Sequence, residues 1–283
     1  MIISVASGKG GTGKTTVAVN MALSIEKSFL LDCDVEEPNA DIFLKPDISL
    51  KEEISTLLPS VDKNLCNLCG LCSSVCEYKA INVFKNVEGG VFILPHLCHN
   101  CGACAWVCEK KAIREIPKRI GIIESGFSGN VGYIGGRLDS GEIKTPFLIN
   151  EVKKRIPAGV TAIVDSPPGA SCPMIAAVKG SDFCVLVTEP TEFGMNDLEI
   201  AAEAVRKMQI PFGVVINRWE GHESFASRLE KKGMSVIGKI PFDRDIAVLY
   251  SRGEMAIKIK GYAGIFDKIY EKIISLAKIK QTR

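Results

Sequence analysis

The chain has 283 residues, 46% hydrophobic and 24% charged, and its 35 basic and 33 acidic side chains leave a formal net charge of +2. That balance excludes a disordered tail, a polybasic nucleic-acid binder and a strongly acidic protein, each of which needs a lopsided charge. The unusual feature is 11 cysteines. The opening MIISVASGKGG has no basic stretch ahead of an apolar core, so it does not read as a secretory signal. No apolar run approaches the roughly 18 residues of a membrane span. A cytoplasmic setting is therefore expected, in which cysteines serve as metal ligands, catalytic thiols or small core residues rather than disulfides.

The first predicted element is a strand, IISVA at 2–6, running into Gly8-Lys9-Gly10-Gly11-Thr12-Gly13-Lys14-Thr15 and then a helix through VAVNMALSI. This is G-x4-G-K-T between a strand and a helix, the context a phosphate-binding loop requires. Glycines let the backbone wrap the phosphates, so that amide hydrogens and the helix N-terminus face them, with Thr16 at the end of the motif. Lys14 is expected to reach the β- and γ-phosphates and Thr15 to ligate Mg2+. With its second lysine, Lys9, KGGTGKTT resembles the deviant Walker A motif of the MinD/ParA/Mrp class of P-loop ATPases. The resemblance implies that Lys9 reaches the partner subunit's phosphate site across an ATP-sandwiched dimer, acting like an arginine finger. FLLDCDVEEPN at 29–39 resembles the second strand and switch I of that class. Alternation puts the carboxylates of Asp32 and Asp34 on one side and Cys33 on the other. The family pattern implies that Asp34 orients or activates the attacking water and that Asp32 supports Mg2+.

Eight cysteines then fall in two equal strings, Cys66, Cys69, Cys72, Cys76 and Cys98, Cys101, Cys104, Cys108, each C-x2-C-x2-C-x3-C. Residues 66–81 and 98–113 are identical at 10 of 16 positions, an internal duplication. Three thiolates at three-residue intervals wrap one face of an iron-sulfur cubane, and the fourth reaches the neighbouring cluster. The spacing thus predicts one 4Fe-4S cluster on Cys66, Cys69, Cys72 and Cys108 and a second on Cys98, Cys101, Cys104 and Cys76. Zinc is the alternative for paired C-x2-C units, though two identical four-cysteine strings fit it poorly. Segment 62–118 resembles a bacterial two-cluster ferredoxin, its halves joined by a hairpin turning at Glu88-Gly89-Gly90, with Glu77 and Glu109 standing where that family has proline. So short a segment is marginal without metal.

After the repeat, AIVDSPPG at 162–169 is an apolar strand ending in Asp165, a carboxylate suited to Mg2+ or its water, and resembles the Mrp-like Walker B. The same resemblance gives Gly169 to switch II. VVINRW at 214–219 and GKIPFDRDIA at 238–247 resemble the adenine-reading segments, with Asn217 offering its amide to the base and Pro241 packing near it. Cys33 and Cys184 read as core residues, and Cys172 as the start of a helix. His99, beside a ligand cysteine, reads as a cluster-tuning group or as an exposed loop residue; His96 and His222 stand alone. The C-terminal amphipathic helix, with Ile265, Ile269, Ile273 and Leu276 at helical spacing, is expected to pack on the sheet rather than dock to a membrane.

The expected fold is α/β, a three-layer P-loop NTPase over 1–61 and 119–283 with a mostly parallel sheet, interrupted by a small α+β ferredoxin-like domain at 62–118. The expected cofactors are ATP, Mg2+ and two 4Fe-4S clusters. The expected activity is ATP hydrolysis coupled to electron transfer, in an ATP-dependent homodimer or a heterodimer with a paralogue, serving a redox partner or iron-sulfur client. Two other readings stay open: a cluster carrier of the Mrp kind, and a MinD/ParA-like positioning ATPase with redox-sensing clusters. Against the carrier, the sequence lacks the C-x-x-C pair with which Mrp-like proteins bridge a labile cluster.

Overall fold

A computed structural model describes residues 1–86 and 90–281, with side chains as far as Ala277. The apolar run Ile2–Ala6 is strand β1, and the glycine-rich loop leads into helix α1, Lys14–Ser24. Strand β2 (Ser28–Asp32) and helix α2 (Ala40–Leu44) come next. Then follow β3 (Asp47–Val61), α3 (Leu71–Ser74), β4 (Ile81–Val83), β5 (Val91–Ile93), α4 (Ala103–Trp106), β6 (Ile113–Ser128) and β7 (Val131–Leu138). From there helices and strands alternate: α5 (Thr145–Lys153), β8 (Thr161–Asp165), α6 (Cys172–Val178), β9 (Phe183–Thr188), α7 (Glu192–Lys207) and β10 (Phe212–Trp219). The chain ends with α8 (Glu223–Lys231), β11 (Val236–Pro241), α9 (Arg244–Ser251) and α10 (Ala263–Gln281). In the expected hairpin turn, Glu88 and Gly89 lie outside the described residues, as do Thr282 and Arg283 of the expected C-terminal helix.

Among the described residues one sheet has the order β11-β10-β9-β1-β8-β2-β7-β6-β3. Every pairing from β11 to β7 is parallel, as the α/β reading requires. Neighbours β6 and β7 are joined by the two residues Gly129 and Asn130, a connection open only to antiparallel strands. A parallel sheet buried on both faces needs continuous apolar strands, and all of β9 is buried. Alternation along it sends Phe183, Val185 and Val187 into one apolar cluster and Cys184 and Leu186 into the other. The first cluster holds α1 residues Val17 and Met21 and α10 residues Phe266, Ile269 and Ile273, so the C-terminal helix packs on the core. Ile265 and Leu276 lie partly buried against the same cluster. The second cluster takes Met174 of α6, Leu198 and Val205 of α7, and Phe225 of α8.

The chain divides into two compact units. The larger comprises Met1–Glu52, Ile123–Arg137 and Thr145–Arg283; the smaller comprises Glu53–Ile122 and Leu138–Lys144. The smaller unit is wider than the cysteine repeat, because it includes parts of β3 and β6 and the segment after β7. In it β4 and β5 form a separate antiparallel pair, Ile81 opposite Ile93. One of its apolar clusters holds Cys72, Ile81 and Ile113, with Cys76, Cys104 and Cys108 packed against them, so thiols make up part of its core. Among the described residues no helix is long and apolar enough to cross a membrane.

Candidate functional site

Parallel pairing sets the first site at the carboxyl ends of the central strands, where α/β sheets bind ligands. Val5 of β1 and Asp32 of β2 both lie in register with Asp165 of β8. The loop leaving β1 turns through Gly11 and Gly13 at φ 79° and 88°, and Gly13 starts α1. Gly8 is needed for a different reason: a Cβ there would stand 2.0 Å from the backbone oxygen of Asp197 in α7. A cavity of about 490 Å3 opens beside this loop, lined by Lys9, Gly10, Gly11, Gly13, Lys14, Thr15, Thr16, Asp34, Asn217 and Pro241. Ten of the residues read from sequence are thereby brought to one cavity.

Lys14 is buried, donates to Asp165 Oδ1 at 2.7 Å and stands 3.7 Å from Asp34. Burial opposes its charge, but Asp165 and Asp34 outweigh burial and hold its pKa above the ordinary lysine value. Burial lifts the Asp34 carboxyl to about 6, with Lys14 opposing and Asp165 and Glu37 assisting. The second oxygen of Asp165, Oδ2, is buried without a hydrogen-bond partner. An orphaned carboxylate oxygen on the partner of Lys14 fits a bound cation or its water.

Asp32 departs from the expected placement. Its Oδ1 accepts from the Asp34 amide at 3.2 Å and its Oδ2 from the amides of Asn39 and Ala40 at 3.0 and 2.9 Å. It is fully buried and does not line the cavity. Its carboxylate orders the 33–40 loop and accepts from the first amide of α2, so both its oxygens are engaged by backbone amides. Gly8, Thr12, Asp165 and Gly169 also lie off the lining, Asp165 being fully buried behind Lys14. Gly169, at φ 91°, donates its amide to Ser7 O at 2.9 Å and so ties the segment after β8 to the loop after β1. Asn217 donates Nδ2 to Thr12 O at 2.8 Å. Among the further lining residues with no role in the sequence reading are Asn39 and Arg218. Asn39 has a buried, unpartnered Oδ1, and Arg218, at φ 54°, pairs with Glu189 at 2.8 Å. Both lie in strings that resemble family motifs, FLLDCDVEEPN and VVINRW, but neither was given a role there.

In the smaller unit the duplication reappears in the backbone. Leu68 and Asn100 have φ 55° and 56°, Lys79 and Lys111 53° and 50°, and Gly70 and Gly102 precede α3 and α4 at 85° and 71°. Ala80 donates to Cys76 Sγ at 3.2 Å and Ala112 to Cys108 Sγ at 3.3 Å. One cavity, of about 60 Å3, is lined by Cys66, Cys69, Cys72 and Cys108. Another, of about 70 Å3, is lined by Cys76, Cys98, Cys101 and Cys104. Among the described residues no three His, Cys, Asp or Glu side chains converge closely enough to hold a single metal ion. Burial pushes the Cys72 thiol up, and Cys66, Cys69 and Cys108 add to the rise; burial carries Cys104 to about 11, with Cys98 and Cys101 assisting. Four crowded thiols resist ionisation until a cationic centre compensates them, so the donor set fits a thiolate-bound metal cluster. His99 is exposed, lines the second cavity and stacks on Tyr78 with centroids 3.5 Å apart. Cys33 and Cys184 are buried core residues, and Cys172 is exposed at the start of α6.

The central parallel sheet, the glycine loop and the buried lysine-carboxylate pair define a P-loop nucleotide-binding protein. The family model of the CobQ/CobB/MinD/ParA nucleotide binding domain matches residues 3–257, and the chain belongs to that family of nucleotide-binding ATPases. An uncharacterized protein of Methanocaldococcus jannaschii is 36% identical over 263 residues, covering 88% of this chain and 87% of that protein. The iron-sulfur cluster carrier protein of Pyrococcus abyssi is 24% identical over 301 residues, covering 98% and 86%. Among solved structures, the septum site-determining protein MinD of Pyrococcus horikoshii, complexed with Mg-ADP, superposes with a TM-score of 0.60 at 21% identity over 99% of this chain and 98% of that one. The fold is thus that of MinD.

Proposed function

We propose that this chain is an ATP-hydrolysing iron-sulfur protein in which nucleotide binding gates one-electron transfer to an acceptor through two 4Fe-4S clusters. Cys66, Cys69, Cys72 and Cys108 hold one and Cys76, Cys98, Cys101 and Cys104 the other. One observation carries the reading: eight thiols sort into two complete quartets, each around its own cavity, in a chain that also has a P-loop cavity. Complete quartets suit retention and electron transfer, since each cluster when bound takes up and releases single electrons.

On nucleotide binding Lys14 exchanges Asp165 for the β- and γ-phosphate oxygens, releasing Asp165 Oδ1. Thr15 and Asp165 hold Mg2+, which when bound neutralises phosphate charge. Asp34, with its proton affinity raised to about 6, takes the proton of the attacking water as the new bond to the γ-phosphorus forms and the bond to the ADP oxygen breaks. Lys9 of a second copy, or of a paralogue, adds positive charge across an ATP-dependent dimer. Asn217 and Pro241 border the adenine end. Asp32 acts by holding the loop that carries Asp34.

The iron-sulfur carrier relatives favour a second reading, in which clusters are handed to a client protein. Metal and acid-labile sulfide analysis before and after many ATP turnovers separates the two. Electron transfer predicts two cubanes' worth of iron and sulfide retained throughout; transfer to an apo-acceptor on hydrolysis would establish the carrier instead.

A further inference from the structure

The two cysteine cavities descend from one duplicated motif, yet their surroundings differ in charge. Asn100 stands where the first half has Leu68, at the same left-handed backbone position. Leu68 packs over Gly90, where a Cβ would meet its Cδ2 at 2.6 Å. Asn100 instead donates Nδ2 to Leu57 O and accepts at Oδ1 from Lys144 Nζ. The same ammonium donates to Cys98 O at 3.0 Å. Lys144 is half-buried, and Glu142, the acidic group nearest it in the chain, is engaged by Lys118. On the other side Glu115 lines the second cavity, 3.6 Å from where a Gly102 Cβ would stand. Its counterpart in the first half, Val83, is apolar. Lys144 and Glu115 both lie outside the shared 16-residue motif, whereas the charged residues that line the first cavity, Glu109 and Lys110, lie inside it, at the positions of Glu77 and Tyr78 in the other half.

We propose that Lys144 and Glu115 are positioning residues that set the reduction potential of the second 4Fe-4S site independently of the first. This rests on the cluster reading above. Taking up one electron makes a site more negative, so a fixed cation beside a ligand loop favours the reduced state and a fixed carboxylate opposes it. The two halves thereby hold electrons with different affinity although their ligand spacing is the same.

The test is an anaerobic potentiometric titration of the full chain with dithionite, each site taking up one electron and each followed by its paramagnetic resonance signal. Lys144→Gln is expected to lower the reduction equilibrium constant of one site about tenfold, 59 mV for one electron, and leave the other unchanged. Glu115→Gln is expected to raise that of the same site, and Lys144→Arg to restore the original value. Iron and sulfide content is measured on every variant. Normal content with unmoved potentials, or with both sites moving equally, would overturn this inference while leaving the cluster reading intact. Wild-type protein that takes up no iron and sulfide would overturn the cluster reading and this inference with it.

Discussion

Around Lys14 the chain supplies both signs of charge; at the first cysteine quartet it supplies thiols that repel one another once ionised. The lysine stands between Asp165 and Asp34, backed by apolar clusters on both faces of a wide sheet. The apolar cluster beside the cysteines includes Cys72, Ile81 and Ile113 and is finished by further thiols. The first region is preorganised by protein alone, whereas on the proposed cluster reading the second is completed as a core by its metal. The comparison teaches that the same chain carries one site that waits for its ligand and another that its ligand completes.

The sharpest break in this comparison is removal of the metal. Oxidative stripping with chelator should make the segment 53–122 at least ~10-fold more sensitive to limited proteolysis while the larger unit stays resistant; equal resistance of both units would contradict the metal-as-core account. Lys14→Ala comes next. It removes a phosphate ligand, costing about 2–5 kcal/mol of nucleotide binding in calorimetry. It also leaves Asp165 buried beside two other carboxylates, costing about 3 kcal/mol of stability at pH 8 and less at pH 5. Lys9→Ala should retain nucleotide binding and lose turnover; normal hydrolysis would remove its role across the dimer.

Gly8→Ala forces a methyl against the Asp197 backbone and should cost about 1–3 kcal/mol by denaturant unfolding, with the cluster content unchanged. A further effect is in pH. Burial, then Asp165, raises the Asp32 carboxyl to about 7, and burial raises Asp34 to about 6, against 3.8 for a free aspartate. The folded protein therefore binds protons more tightly than the unfolded chain between these values. Its stability without nucleotide should decline as pH rises from about 4 to about 7 and then level off. Asp32→Asn should flatten that slope in thermal melts at several pH values.

The P-loop and both cysteine quartets were legible because each is a local string whose spacing encodes geometry. Strand β3 was not. Its first residues, Asp47–Lys51, are exposed and give no apolar run, and its place at the sheet edge depends on partners far along the chain. Alternation told which side Asp32 faces but not that the amides of Asn39 and Ala40 would both donate to its Oδ2. The contact of Lys144 with Cys98, 46 residues apart, has no trace in either motif.

The central claim is that nucleotide governs electron flow through the clusters. Its most direct test is the rate at which the dithionite-reduced protein, under anaerobic conditions, passes electrons to a one-electron acceptor dye, measured by stopped flow with Mg-ATP, with Mg-ADP and without nucleotide. The account predicts rates that differ between the ATP and ADP states and a Lys14→Ala protein that no longer distinguishes them. Identical rates in all three conditions, with both clusters present and ATP being hydrolysed, would contradict it.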